Sequence, residues 1–308
     1  MMNDKILQVK KNIASVMVGM DHLTDLLLAA FVAGGHALLE DMPGTGKTTL
    51  ARALARSMDC TFSRVQFTPD LLPADVTGIH YYHQKKEEFV FRRGPVFTHI
   101  LLADEINRAT PRTQSALLEC MAENQVTTDG ETRTLEDPFF VIATENPVET
   151  YGCFPLPEAQ LDRFLMKLEM GRLDAQQERN LLDRFMTGEP LSDLQPVMTR
   201  EEAVMLRRRC REIFVHEDLR TYIVALAQAS RRKGTGISPR GTLSLLRASQ
   251  GYAMIQGRTF VTPEDIQEVA VPVLAHRWIC DEAYEGKVKK TELLLSSVPV
   301  PTEEWQKR

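Results

Sequence analysis

The sequence predicts an α/β domain built on a largely parallel sheet with helices on both faces, followed by a smaller all-α domain. Three observations predict it. Short apolar runs alternate with amphipathic helical patterns through the first half. Those runs are largely apolar, as strands buried on both faces are. From about Asp174 strand signals stop, and only capped helical patterns follow.

Taken in order, "HALLE" (36–40) reads as a strand entering a glycine-rich turn, and "TLARALARSM" after it carries apolar residues at helical spacing. "TFSRVQF", "HILLADE", "FFVIATEN" and "RFLMKLEM" read as further buried strands. Between the first two of these, residues 77–98 read as an inserted hairpin, two aromatic runs about a charged turn in "GIHYYHQKKEEFVFRRGP". In the second half, Thr199 with Glu202 forms a capping box, Thr262 caps a helix with Pro263 in its first turn, and Ser238 and Pro239 open another that closes near Gly257. The expected boundary divides residues 1–172 from 173–308.

Composition bounds the function. The 308 residues are 43% hydrophobic and 26% charged, as in ordinary globular proteins, and the length suits two domains better than one core. A net charge of −5 supplies no general attraction to nucleic acid, so no nucleic-acid partner is expected. Five scattered cysteines without a C-x-x-C pair suggest neither disulfides nor zinc and fit a reducing cytosol. The polar N-terminus has no signal-peptide core, and the longest apolar run, residues 26–35, is short of the ~20 residues a membrane span needs. A cytoplasmic protein without membrane insertion is expected.

The chemistry starts in "LLEDMPGTGKTTLARALA". A strand running through glycines into a helix aims free backbone N–H groups and a positive helix end at one point. Met42, Pro43, Gly44, Thr45, Gly46 and Lys47 can wrap phosphate oxygens, with the Lys47 ammonium reaching the β- and γ-phosphates. Thr48 offers a hydroxyl to Mg²⁺, with Thr49 beside it. Asp41 stands where the usual G-x-x-x-x-G-K-[ST] pattern wants glycine, and Pro-Gly also suits any strand–helix turn. In "HILLADEINRA" a buried strand would present Asp104 and Glu105 at its C-terminal end, the side where open α/β sheets bind ligands. Asp104 could hold Mg²⁺ and Glu105 act as general base, although two acids there would also serve as a helix cap. Asn146, ending "FFVIATEN", could position a lytic water, although Asn-Pro alone is a turn signal. Arg163 follows a short helix whose dipole favours a cation at that end. Arg240 lies in a first helical turn, where the dipole disfavours one, which suggests a phosphate as its partner.

These segments, with "VQFTPDLLPADVTG", "GPVFTHILLADEINRATPRTQSALLECMAENQVTTDG" and "SPRGTLSLLRASQGYAMIQGRTFVTPEDI", give a chain that resembles the MoxR family of AAA+ ATPases over residues 18–268. The resemblance accounts for Asp41 and resolves the glycine turn in favour of nucleotide. It implies a P-loop AAA+ module with a helical lid, assembled into a homo-oligomeric ring, typically hexameric, and using ATP and Mg²⁺. Lys47 and Thr48 match its phosphate-loop pair, Asp104 and Glu105 its second acidic motif, and Asn146 its first sensor. Arg163 matches its arginine finger and Arg240 its second sensor. Val18 and Gly19 match the segment near adenine. The resemblance also implies that the 77–98 hairpin faces the ring axis or rim. Chaperone-like maturation of a client, with a partner carrying a von Willebrand factor A domain, is the implied role. A nucleic-acid motor and an ATP-gated assembly switch are the alternatives. Arg207–Arg211, "RRRCR", reads as a solvated helix face, and Tyr81, Tyr82, Phe89 and Phe91 as packing of the insert, with an exposed aromatic pair suited to gripping a client as the alternative.

Overall fold

The computed structural model describes residues 2–40, 44–146, 152–232, 236–280 and 282–301. Helices α1 (Met2–Val16) and α2 (Asp21–Val32) lead into β1 (Ala37–Glu40), α3 (Lys47–Ser57) and β2 (Phe62–Gln66). A short α4 (Pro73–Thr77) precedes the hairpin β3 (Gly78–His83) and β4 (Glu88–Arg93). Next come β5 (Ile100–Asp104), α5 (Pro111–Glu123), a second hairpin β6 (Gln125–Thr128) and β7 (Glu131–Thr134), then β8 (Phe140–Glu145), α6 (Glu158–Leu161) and β9 (Met166–Glu169). The remainder is helical among the described residues, apart from a bridge between Phe214 and Phe260. It comprises α7 (Ala175–Thr187), α8 (Pro190–Asp193), α9 (Arg200–Cys210), α10 (Glu217–Arg231), α11 (Pro239–Ile255), α12 (Pro263–Leu274) and α13 (Tyr284–Ser297).

Five strands form one parallel sheet in the order β2-β5-β8-β1-β9. Their alternation supplies two cores. Leu38, Leu101, Ala103, Val141 and Ala143 point to one face and pack with Leu117, Leu118 and Met121 of α5. Ala37, Leu39, Ile100, Leu102, Phe140 and Ile142 point to the other, beneath α2 and α3. That second core runs on without a break into α9–α12, so the helical half shares its interior with the sheet. Helix α11 lies so close on α2 that a Cβ on Gly251 would meet the Ala29 carbonyl oxygen at 2.4 Å. The cap at Ser238 accepts the Gly241 amide at 3.1 Å, and Thr199 and Thr262 close capping boxes.

Two expectations need correction. Arg207 is not solvated: it donates to the carbonyls of Phe31 (3.1 Å) and Phe139 (3.3 Å), lies 5.5 Å over the Phe31 ring, and lowers its pKa through burial. One side of α9 faces the sheet domain, and a run of arginines passes through that side once per turn. Arg208, Arg209 and Arg211 are exposed. Nor do all four hairpin aromatics pack. Phe91 does, under Arg133 at 3.9 Å, whereas Tyr81, Tyr82 and Phe89 are exposed. The two hairpins are clasped by His80 Nδ1 and Asp129 Oδ2, 2.6 Å apart.

Candidate active site

Gly44 (φ 89°) and Gly46 (φ 95°) both hold left-handed backbone, which side chains resist, and a Cβ on Gly44 would meet nothing within 4 Å. Gly46 caps α3, so Lys47, Thr48 and Thr49 form a first turn whose N–H groups lack intrahelical acceptors. All three are partly exposed. This is an open, donor-rich cradle at the C-terminal end of β1. Met42 and Pro43 lie outside the described residues.

Order in the sheet brings the acids to it. Strand β8 separates β1 from β5, so the phosphate turn and Asp104 flank Asn146 at one sheet edge, about 10 Å apart by strand spacing. Asp104 is tightly held: Thr144 Oγ1 donates to Oδ1 at 2.7 Å and Arg64 Nη2 to Oδ2 at 2.6 Å. Glu105 adopts left-handed backbone (φ 56°, ψ 51°), a strained conformation for a non-glycine residue. Its amide donates to Thr144 Oγ1 at 2.8 Å, while its carboxylate accepts from Gln66 Nε2 (2.7 Å) and Arg108 Nη1 (3.1 Å). A buried Asn146 follows directly on β8.

Arg64, Gln66, Arg108 and Thr144 are site residues that the linear reading missed. A signal existed for two of them: a strand read as buried carries polar residues two apart at its end, in "SRVQ", and Gln66 is in register with Asp104.

Beside the turn opens a cleft of 1060 Å³ walled by Met20, Leu173, Leu182 and Tyr284. Its mouth is acidic, with Glu40, Glu169, Glu178 and Glu285 against Arg172. Val18 is buried and Gly19 lies under the Gln177 side chain, 2.5 Å from where a Cβ would stand, so at this turn Met20 provides the cleft wall.

Arg163 and Arg240 are not near this edge. The Leu165 amide donates to the His36 carbonyl at 2.8 Å, which sets Arg163 beyond the N-terminal ends of β1 and β9. There Arg163, Arg211, Arg240 and Arg247 line a groove of 300 Å³ with His36 and Asp162. Arg163 donates to the Leu118 carbonyl at 2.6 Å, across to α5 and not within α6. Arg240 is exposed, 4.0 Å from Asp162, whose other oxygen accepts from buried Arg277 at 2.7 Å. The two arginines thus share one basic groove, a strand's length from the phosphate turn of their own chain.

As to a metal, the Thr48 hydroxyl and the Asp104 carboxylate are hard oxygen donors of the kind Mg²⁺ takes, and Mg²⁺ retains most of its water. Among the described residues no three His, Cys, Asp or Glu side chains form a metal cage, and a hydrated cation at this edge needs none.

A parallel sheet with a glycine turn on one strand, paired acids two strands away and a helical domain after it defines an ATPase module of the AAA type. Residues 36–166 match the ATPase family associated with various cellular activities (AAA), and residues 227–295 match the AAA lid domain. A Cytophaga hutchinsonii protein solved at 2.00 Å as a candidate ATPase superposes with a TM-score of 0.90 at 38% identity, covering 98% of this chain and 96% of that one. YeaC of Bacillus subtilis, itself uncharacterized, is 46% identical over 95% of this chain and 94% of its own. Chaperone MoxR1 of Mycobacterium tuberculosis is 39% identical over 89% and 74%, and MoxR of Methylorubrum extorquens 32% over 92% and 90%. The chain belongs to the MoxR family of AAA+ ATPases.

Proposed function

We propose that the protein hydrolyses ATP with Mg²⁺ at a site completed by a neighbouring copy of itself, and uses the cycle for chaperone-like remodelling of a client protein. The observation that carries this reading is the separation of its parts. Lys47, Thr48, Asp104, Glu105 and Asn146 gather at one edge of the sheet, while Arg163 and Arg240 share a groove at the other. A head-to-tail assembly brings the basic groove of one copy to the cradle of the next, and such contacts close into rings. The residues that match the family's finger and second sensor would then both act across the interface.

In this reading the α3 amides and Lys47 bind the β- and γ-phosphates, and Glu105, steered by Gln66 and Arg108, orients a water and accepts its proton. Asn146 helps position that water, and Arg163 and Arg240 of the neighbour neutralise charge on the transferring phosphoryl group. Thr48 and Asp104 would hold the Mg²⁺, which when bound supplies charge neutralisation on the phosphate oxygens. Arg64, 2.6 Å from Asp104 Oδ2, would help to orient that carboxylate toward the ion. A chaperone role is supported by the name of the M. tuberculosis relative and by the exposed Tyr82–Phe89 pair on the β3–β4 hairpin. Among the described residues no helix is long and apolar enough to cross a membrane.

The test is specific ATPase activity against protein concentration, with Mg²⁺, for wild type and Glu105→Gln. Activity that rises steeply with concentration and vanishes in the variant is expected. A specific activity flat with concentration removes the shared site, and bound ATP without turnover points to the assembly switch. DNA-stimulated turnover would restore the nucleic-acid motor.

A further inference from the structure

Glu40, Glu145 and Glu169 stand side by side at the C-terminal ends of β1, β8 and β9, because Glu40 is in register with both others. Carboxylates arranged this way repel; Arg172 lines the same cleft mouth, and among the described residues Lys167 is the buried cation between the strand ends. Lys167, two residues back on β9, is 8% exposed. Its Nζ is 2.5 Å from Glu40 Oε2, 3.9 Å from Glu145 Oε2 and 4.1 Å from the centre of the Tyr284 ring.

Each partner sits at a strategic point of the chain. Glu40 is the last residue of β1, just before the phosphate turn. Glu145 is the last residue of β8, just before Asn146. Tyr284 opens α13, the last helix among the described residues, and walls the cleft beside Gly44 and Thr45. Burial raises the Glu145 carboxyl, and Glu40 adds to this while Lys167 opposes it. Burial also raises the Tyr284 phenol, helped by Glu169 and Glu40. The arrangement is therefore short of positive charge, and one ammonium is divided between two strand ends and an aromatic face.

We propose that Lys167 is a positioning residue that fixes the phosphate turn and Asn146 to one another and, through Tyr284, makes helix α13 responsive to nucleotide in the cleft. Phosphates arriving at the turn enter the field of this ammonium within a few residues of Glu40. The ammonium moves toward the new negative charge and its hold on the Tyr284 ring changes, so α13 registers occupancy without touching phosphate. This rests on nucleotide binding at the glycine turn.

The experiment compares amide hydrogen exchange of α13 with and without a non-hydrolysable ATP analogue on the full chain, alongside direct binding of the analogue. In wild type, α13 exchange changes by about fivefold or more on binding. In Lys167→Met that change falls to within about twofold while analogue affinity stays within about threefold; in Tyr284→Leu, compared at saturating analogue, the change falls likewise, and Tyr284→Phe, which keeps the ring, responds like wild type. Lys167→Met also lowers kcat by about tenfold with KM nearly unchanged, as a displaced Asn146 predicts. Should Lys167→Met fail to fold, Tyr284→Leu, which leaves every charge in place, carries the test. A wild-type response that persists in Tyr284→Leu overturns the proposal, and so does analogue binding in wild type with no change in α13. Failure of wild type to bind the analogue at all overturns the ATPase reading itself, and the binding signal separates that outcome from the others.

Discussion

At the C-terminal edge of the sheet stand a donor-rich turn, two structured acids and a cleft ringed by glutamates. At the N-terminal edge, roughly 13 Å away along β1, stand five arginines around a narrow groove, Arg277 among them. The first has the phosphate cradle and the candidate base, and its cations besides Lys47 (Arg64, Arg108, Arg172 and Lys167) stand among carboxylates. The second has the cations and no cradle. Burial accentuates the contrast: His36 and His276, packed at the basic end, are both pushed toward the neutral form, whereas Glu145 at the acidic end is pushed toward the protonated one. In the proposed reading neither edge is a complete site in one chain, and two chains together supply one.

Removing the finger is the strongest way to break this comparison. Arg163→Ala should lower kcat of the assembled protein by about 10³- to 10⁵-fold while leaving ATP affinity near wild type. Turnover that survives the substitution severs the basic edge from catalysis. Lys47→Ala should act oppositely, weakening ATP binding itself by about a hundredfold, as a lost charge-assisted phosphate contact predicts. Equilibrium dialysis with ATP distinguishes the two variants.

A smaller effect concerns the basic edge in acid. Burial, first of all, lowers His36 from 6.5 to about 4 despite its bond to the Met121 carbonyl. A neutral buried histidine gives stability that is complete above about pH 6.5, since only the unfolded chain binds the proton, and that is lost as pH falls from there toward 4. The full swing is about 3 kcal/mol. Urea midpoints for wild type and His36→Gln between pH 7 and 4.5 should converge as the pH falls. Convergence will be partial because the series stops above about pH 4; His276, also lowered by burial, is present in both proteins and makes both midpoints fall together. The smallest effect is structural: Ser238→Ala, deleting the α11 cap beside Arg240, should cost about 1 kcal/mol in a denaturant titration.

What could be read from the sequence and what could not divide along the same physical line. The glycine turn, the acid pair and the asparagine each end a local apolar run, so linear pattern finds them. Arg64 and Gln66 left only the faint signal of polar residues in a buried strand, and with Thr144 they gained a role once the order β2-β5-β8 put them against Asp104 and Glu105. Arg240 stood out because a cation in a first helical turn is unfavourable, but its meeting with Arg163 depends on how α11 docks on the sheet domain. Arg207 misled because a charge run hides which residue faces inward. The hairpin aromatics misled because support ends part-way along the ribbon: Phe91 packs near its base, whereas Tyr82 and Phe89, on the same face, lie toward its tip.

The central claim is that one site is divided between two copies, and subunit mixing tests it most directly. Lys47→Ala keeps its basic groove and Arg163→Ala keeps its cradle, so each is inactive alone. Mixed in equal amounts and allowed to exchange, they should recover roughly a quarter of the wild-type rate, the share of interfaces that pair a good cradle with a good groove. A mixture that remains as inactive as its components would contradict the account.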